Sequence, residues 1–289
     1  MSAQLAPVAV NLLGVVEHPS FGDSPYRIDA DGAPYVPVGD GGLVLGVRLG
    51  DFALAPGSDH VAPGACLVHP DDAARHALLL YSCIGNQAVV RSGAAAGATG
   101  AVIGKRGESG RLIAGFDSEV LPMMRPGDQV SVRSAGQGAA HPVPAGVMAL
   151  NVDPGLLQAL PITRDSRGLQ VSVRAILPAK LAGNGLGRPA AAWDLDLQVP
   201  PARTSSQAAP VDLPLLLGDL VAINDIDARY NIGYRHGWVT IGVIVHGASP
   251  LPGHGPGMTA VLTGPASALR PVPDVARHTG LTASMLNIR

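Results

Sequence analysis

The chain has 289 residues, with 20 lysines and arginines against 22 aspartates and glutamates, for a formal net charge of −2. That balance provides no basic face for nucleic acid or an anionic membrane. Aromatics are 3 % and charged residues 15 %, while hydrophobic residues reach 47 %, so a base-stacking platform is excluded and a packed core is expected.

The first twenty residues carry no lysine or arginine ahead of their apolar stretch. A secretory signal needs a positive start, so a cytoplasmic chain is expected. Leu43–Leu49 is predicted as a strand that stops at Gly50-Asp51. The stretch Asp71–Tyr81 is predicted as a helix, opened by two aspartates that complement the helix dipole. Its apolar run Ala77–Tyr81 is far short of the ~20 residues of a membrane span. Strands are predicted at Ala88–Arg91, Ala101–Ile103 and Gln129–Arg133, each ended by glycine, serine or both. A small, polar linker follows at Ser134–Gly146. Asp153–Leu160 reads as a short helix with aspartate at the cap and Pro154 at the first helical position. Leu169–Ala175 alternates with period two. Val199–Pro214 is proline-rich and reads as a second linker. Asp219–Ile223, Trp238–Val245 and Met258–Thr263 are further strands, and Asp274–His278 a last short helix.

The chain holds 37 glycines and 26 prolines. Short strands between such turns predict a mainly β protein, with several barrel-like and layered β-sheet parts and few short helices. The two linkers divide it into an N-terminal barrel-like part with one short helix (1–145), a small middle part (146–200) and a C-terminal β part (201–289). One local pattern occurs twice, in Arg125-Pro-Gly-Asp and Leu216-Leu-Gly-Asp, each just ahead of a strand. Glycine allows a positive φ and the aspartate can accept from the backbone, so both are read as turns rather than catalytic groups.

The densest polar segment is Asn224–Asn231. Asp225 and Asp227 would share one side of a continuing strand. Adjacent carboxylates need a cation, a shared proton, a neighbouring arginine or open solvent. Downstream, His246 ends an apolar strand and His254 stands between glycines. Neutral imidazole is the commonest metal ligand, so Asp225, Asp227, His246 and His254 are the candidate ligands of a divalent metal ion. The connection Ala228–Gly237 is expected to return the chain antiparallel and bring both aspartates toward the His246 end. Asp59 and His60 form another carboxylate–imidazole pair. On a strand such neighbours point opposite ways, so they are not expected to bond each other. Lys105 and Arg235 are candidates to hold a carboxylate or phosphate of a substrate, with Asp59 and His60. Cys83 is a candidate nucleophile, provided that a neighbouring charge lowers its pKa. With only two cysteines, a disulfide scaffold and a cysteine-rich metal site are excluded. The glycine run Gly183–Arg188 has no strand–turn–helix context, so no nucleotide cofactor is expected.

Taken in order, several stretches resemble an uncharacterised prokaryotic family, domain-of-unknown-function family 4438. They are Pro25-Tyr-Arg, Asp59-His-Val-x-Pro-Gly64, Cys83-Ile-Gly-Asn86, Gly104-Lys105, Gly127-Asp128, Gly136-Gln-Gly138, Asn151-x-Asp-Pro154, Gly218-Asp-x-Val-Ala-Ile223, Asp225-x-Asp227, Ile241-Gly-Val243, His246 and Gly253-His-Gly-Pro-Gly257. The resemblance runs from about residue 14 to about 264. It implies a mainly β fold of barrel-like and layered sheets and no established activity. Where the resemblance would place Gly-Lys-His-Gly, this chain has Gly104-Lys-Arg-Gly107.

Two functions are therefore carried forward. One is an enzyme on a small polar substrate, of hydrolase or lyase type, with Cys83, Asp227, His246 and His254 as catalytic candidates and a divalent ion to activate water. The other is a non-catalytic ligand-binding or structural β-protein. Low charge and a positive mean hydropathy of +0.26 also point to a homo-oligomer.

Overall fold

The computed structural model describes residues 8–19, 24–54, 59–139, 141–199, 215–275 and 279–288. The fold is mainly β. Six strands of the N-terminal part close into a barrel in the order Ala9–Val16, Gln129–Ala135, Gln87–Val90, Thr99–Arg106, Arg111–Phe116 and Gly64–Val68. The last returns to the first through the pairs Val15–Val68 and Val16–Leu67. Strand alternation builds the interior: Val130 and Val132 point in, Gln129 and Arg133 out. They pack with Leu67, Leu78, Val102 and Leu112. Helix Asp72–Tyr81 lies against this barrel and buries Leu78 and Leu79. Asp71 caps it, accepting from the Ala74 amide at 2.8 Å.

A second sheet has the order Met148–Ala149, Gly257–Pro265, Gly233–His246, Leu220–Asp227 and Ala175–Leu177, with Leu195–Asp196 also paired to Gly257–Pro265. A third joins Ile162–Asp165, Gly168–Val173 and Leu269–Pro273. Residues of the expected middle part thus pair into sheets with the C-terminal part, so position 200 does not separate one sheet from another. Barrel residues Ile103 and Ile113 share one core with Ile241, Val243 and Val245. The barrel and the second sheet are therefore joined by apolar burial.

Both glycine–aspartate turns have the same build. Gly127 and Gly218 take φ of +95° and +96°. Asp128 accepts from the Arg125 amide and Asp219 from the Leu216 amide, each at 2.8 Å. The second predicted helix is Pro154–Ala159, with Asp153 accepting from the Gly155 and Leu156 amides. Of the predicted strand Leu43–Leu49, only Leu43–Val44 pairs. Most of the Val199–Pro214 linker, and His278 with the two residues before it, lie outside the described residues. The hairpin Arg27–Ile28 and Pro34–Tyr35 stands apart as a two-stranded sheet. It leaves Tyr26, Ile28, Val36 and Val38 exposed. Among the described residues no helix is long and apolar enough to cross a membrane.

Candidate metal centre

The site forms where the barrel meets the second sheet. Gly257 is flanked by His246 on one side and Asp196 on the other, its register partners on two neighbouring strands. A Cβ on Gly257 would collide with the His246 ring, with Cε1 at 2.5 Å and Nε2 nearer still. Only glycine lets that ring lie across the strand and reach Asp194 and Asp196. Beyond His246, the Gly247 amide donates to the Val61 carbonyl (2.8 Å) and the His60 amide to the Ala248 carbonyl (3.0 Å). These bonds set Asp59-His60 beside the loop that carries His254. From the barrel, the end of strand Thr99–Arg106 supplies Arg106, the Gly107 amide and Glu108. The Gly107 amide donates to Asp194 Oδ1 at 2.9 Å.

Three imidazoles and two carboxylates converge. His60 Nε2 lies 3.1 Å from His254 Nδ1. Asp196 Oδ2 is 2.9 Å from His254 Nδ1 and 3.7 Å from His60 Nε2. Asp196 Oδ1 is 3.4 Å from His246 Nε2, and Asp194 Oδ2 is 2.8 Å from the same nitrogen. Glu108 Oε2 stands 3.7 Å from His254 Nδ1 at the outer side, where the His254 side chain is 15 % and that of Glu108 44 % exposed. His60 and His246 are fully buried. Among the described residues neither Asp194 nor Asp196 has a lysine or arginine within ion-pair distance.

His60 has φ of +54°, a left-handed backbone unusual for a residue with a side chain. The turn brings its Nδ1 to 2.6 Å from Asp59 Oδ1. The expectation that Asp59 and His60 diverge is corrected by this conformation, because the opposed-side rule holds only for extended backbone. Asp59 also accepts from Arg27 Nη1 (2.9 Å) and the Tyr35 hydroxyl (3.0 Å). Behind it, Asp40 is enclosed by Arg27, Arg106 and Arg111, and Arg111 also holds Glu17 at 2.5 Å. This arginine-rich layer is charge-compensated. In the layer in front of it, the ionisable partners of Asp194 and Asp196 are imidazoles.

The electrostatics follow from that contrast. Burial opposes ionisation of Asp196, but hydrogen bonds from His246, His254 and His60 outweigh it and hold the carboxyl well below its ordinary range. Burial likewise disfavours charge on His246, yet Asp194 and Asp196 push its pKa up to about 10. His254 is raised by its bond to Asp196, against burial. Asp59 is lowered by His60 against burial, and Asp40 by Arg106 and Arg111 against burial.

Residues 26–158 match the N-terminal part, and residues 159–279 the C-terminal part, of a family described as a domain of unknown function, DUF4438. The chain belongs to this family. A solved relative, described as the crystal structure of TM1086, is 35 % identical, with 94 % of each chain covered and a TM-score of 0.86. No curated protein matches the chain.

In this DUF4438 chain the structure brings Asp59, His60, His246 and His254 together and leaves the other candidates elsewhere. The expectation that Asp225 and Asp227 share a site with His246 and His254 is corrected. The hairpin turns at their end, so Asn224 pairs with Val239 and Asp227 with Gly233. From Val239 to His246 the strand runs on for roughly 23 Å at ~3.3 Å per residue. The antiparallel return carries His246 away from the aspartates, opposite to the expectation. Asp225 accepts from the Gly237 amide at 2.7 Å. Asp227 pairs with Arg229 (2.8 Å) and Arg235 (3.3 Å), both stacked over Trp238. Arg235 and catalytic Asp227 are thereby removed from the site.

Lys105 points to the other face of its strand from Arg106. It is fully buried, donating to Asn151 Oδ1 (2.7 Å) and the Ala191 carbonyl (2.5 Å). Burial lowers its pKa to about 8. In that position it clamps the segment leading to Asp194. Cys83 is corrected as a nucleophile: burial pushes its thiol up to about 11, with Lys105 opposing only in part. Sequence reasoning missed Asp194, Asp196 and Glu108. Asp194-x-Asp196 has the same spacing as Asp225-x-Asp227 and was the available signal.

Proposed function

We propose that the protein is a metal-assisted hydrolase or lyase acting on a small polar substrate, with a divalent ion held by His60 Nε2, His254 Nδ1 and Asp196 Oδ2. The supporting observation is their mutual spacing of 3.1, 2.9 and 3.7 Å. Nitrogen and oxygen ligands about 2.0–2.2 Å from one ion stand roughly 3.0–3.6 Å apart. Hydrogen bonding alone serves this arrangement poorly. His60 Nε2, Asp196 Oδ2 and Glu108 Oε2 all face the one nitrogen His254 Nδ1, and Glu108 Oε2 also lies 3.7 Å from Arg106 Nη2. A cation at their centre satisfies them together. Asp59 then acts as the carboxylate that orients a metal-bound histidine and raises its basicity.

The roles follow from position. An imidazole–carboxylate set suits zinc, manganese or iron. The ion lowers the pKa of bound water. Glu108, at the exposed side, accepts the proton that water loses as its oxygen attacks the substrate. For a lyase, the same carboxylate removes a proton beside a carbonyl that the ion polarises. The partner is a small molecule, because among the described residues His254 and Glu108 give the partly exposed edge of a buried cluster. A second copy of the chain is included in the proposal, supported by the apolar face of Tyr26, Ile28, Val36 and Val38.

The test is to strip the protein with a chelator, titrate Mn²⁺, Zn²⁺ or Co²⁺ by calorimetry, and follow metal-dependent turnover on a panel of esters, amides and hydroxy acids. Micromolar or tighter binding that falls at least tenfold in His254→Ala, with loss of turnover, supports the proposal. Absence of binding in the folded wild type overturns it and leaves a structural imidazole–carboxylate cluster.

A further inference from the structure

Asp196 presents both of its oxygens to imidazoles. Oδ2 faces His254 and His60, and Oδ1 faces His246 Nε2 at 3.4 Å. On that inner side Asp194 Oδ2 approaches the same nitrogen at 2.8 Å. We propose that Asp194 Oδ2, His246 Nε2 and Asp196 Oδ1 hold a second divalent cation, so that Asp196 bridges a two-metal centre. The inference rests on the first ion of the proposed function and deepens it.

Three observations carry it. First, one ring nitrogen faces two carboxylate oxygens. His246 Nδ1 lies 2.9 Å from the Gly247 carbonyl and 3.3 Å from the Gly257 amide. With Nδ1 serving the Gly247 carbonyl, Nε2 has one position to share between two carboxylate oxygens, Asp194 Oδ2 at 2.8 Å and Asp196 Oδ1 at 3.4 Å. A single hydrogen on Nε2 can point at only one of these oxygens, and neither aspartate has an arginine or lysine partner among the described residues. Second, the ligands are oriented from outside the cluster. The Gly107 amide takes Asp194 Oδ1, leaving Oδ2 to face the site, and the Gly247 carbonyl fixes the His246 ring. Such outer bonds are what align metal ligands. Third, the charges close for two ions. Asp194, Asp196 and Glu108 contribute three negative charges against four from two divalent cations. One hydroxide, formed when a bridging water gives up a proton, completes neutrality.

A single carboxylate bridging through its two oxygens suits ions about 3.5–4 Å apart, the spacing at which a pair clamps both the attacking and the leaving oxygen of a hydrolysis. The substrate class that this favours is an ester, an amide or a phosphate ester whose oxygen binds both ions, rather than a hydroxy acid dehydrated at one ion.

The experiment is metal counting with a coupling readout. Wild-type protein is stripped, reloaded with excess Mn²⁺, desalted and measured for manganese per folded chain by mass spectrometry. Electron paramagnetic resonance of the same sample reports whether the ions are exchange-coupled. About two Mn²⁺ per chain with a coupled spectrum are expected in the wild type. Asp194→Asn keeps the oxygen that accepts from Gly107 and is expected to hold about one, with an isolated six-line signal. His246→Gln is the second variant should the first not fold. About one Mn²⁺ in the saturated wild type overturns the bridged pair and leaves the first site standing. Two uncoupled ions, both retained in Asp194→Asn, overturn it as well. No bound manganese overturns both this inference and the proposed function.

Discussion

Gly257→Ala isolates the geometry on which the centre depends. The new Cβ would lie within 2.5 Å of His246 Cε1 and closer to Nε2, so the ring must retreat by about 1 Å or more to reach ordinary contact distance. That movement breaks the 2.8 Å contact between His246 Nε2 and Asp194 Oδ2. Both groups stay buried, His246 at 0 % and Asp194 at 5 % side-chain exposure. Separating a buried charged pair without replacing either partner costs about 3–5 kcal/mol. For 289 residues, an unfolding entropy of ~2.1 cal/mol/K per residue gives about 0.6 kcal/mol per degree. The melting temperature should therefore fall by roughly 5–8 °C. The control is Gly233→Ala on the neighbouring strand, where the nearest atom to a new Cβ is the Asn231 carbonyl oxygen at 4.0 Å. Its cost should stay within about 1 kcal/mol, because alanine also restricts the unfolded chain. Calorimetric melting in excess chelator measures both without a metal contribution. Equal stability of Gly257→Ala and wild type, or an equal loss in both variants, would refute the argument.

Asp227→Asn should leave metal content and turnover unchanged and alter stability by less than about 1 kcal/mol, since its partners Arg229 and Arg235 are 30 % and 52 % exposed. A fall in bound metal would contradict the placement of Asp227 at the far end of the sheet. Cys66 and Cys83, pushed up to about 12 and 11 by burial, should resist a disulfide reagent at pH 8 until denaturant is added. Rapid native-state labelling would show that the burial argument fails. Asp40, Asp59 and Asp196 have native pKa values below their ordinary ones. The unfolded chain therefore takes up protons first on acidification. Their contribution is complete above the ordinary carboxylate range of ~4 and declines as pH falls toward the native values. Urea midpoints in excess chelator should be lower at pH 3.5 than at pH 6. An unchanged midpoint would mean these carboxylates are not selectively stabilised in the folded state.

Local chemistry was legible from the residues alone. Asp71 and Asp153 announced two helix starts, since a side-chain oxygen beside a free backbone amide needs no distant partner. The glycine–aspartate turns were readable for the same reason, and period-two runs identified most long strands. Asp59, His60, His246 and His254 stood out because imidazoles and carboxylates framed by glycine are uncommon on an ordinary surface. What remained hidden depends on which strands pair. Asp194-x-Asp196 and Asp225-x-Asp227 have the same spacing, and nothing within either segment separates ligand from surface ion pair. The difference arises across the sheet. Asp196 is opposite Gly257, which is opposite His246, whereas Asp227 is opposite Gly233 at the turn and meets two arginines. His60 joins its neighbour Asp59 only because the tertiary bonds to Val61 and Ala248 accompany a left-handed backbone that sequence alternation does not foresee. Side-chain type and local turns are set by neighbours in the chain. The charge surrounding a group is set by neighbours in space, and these come from segments far apart in sequence.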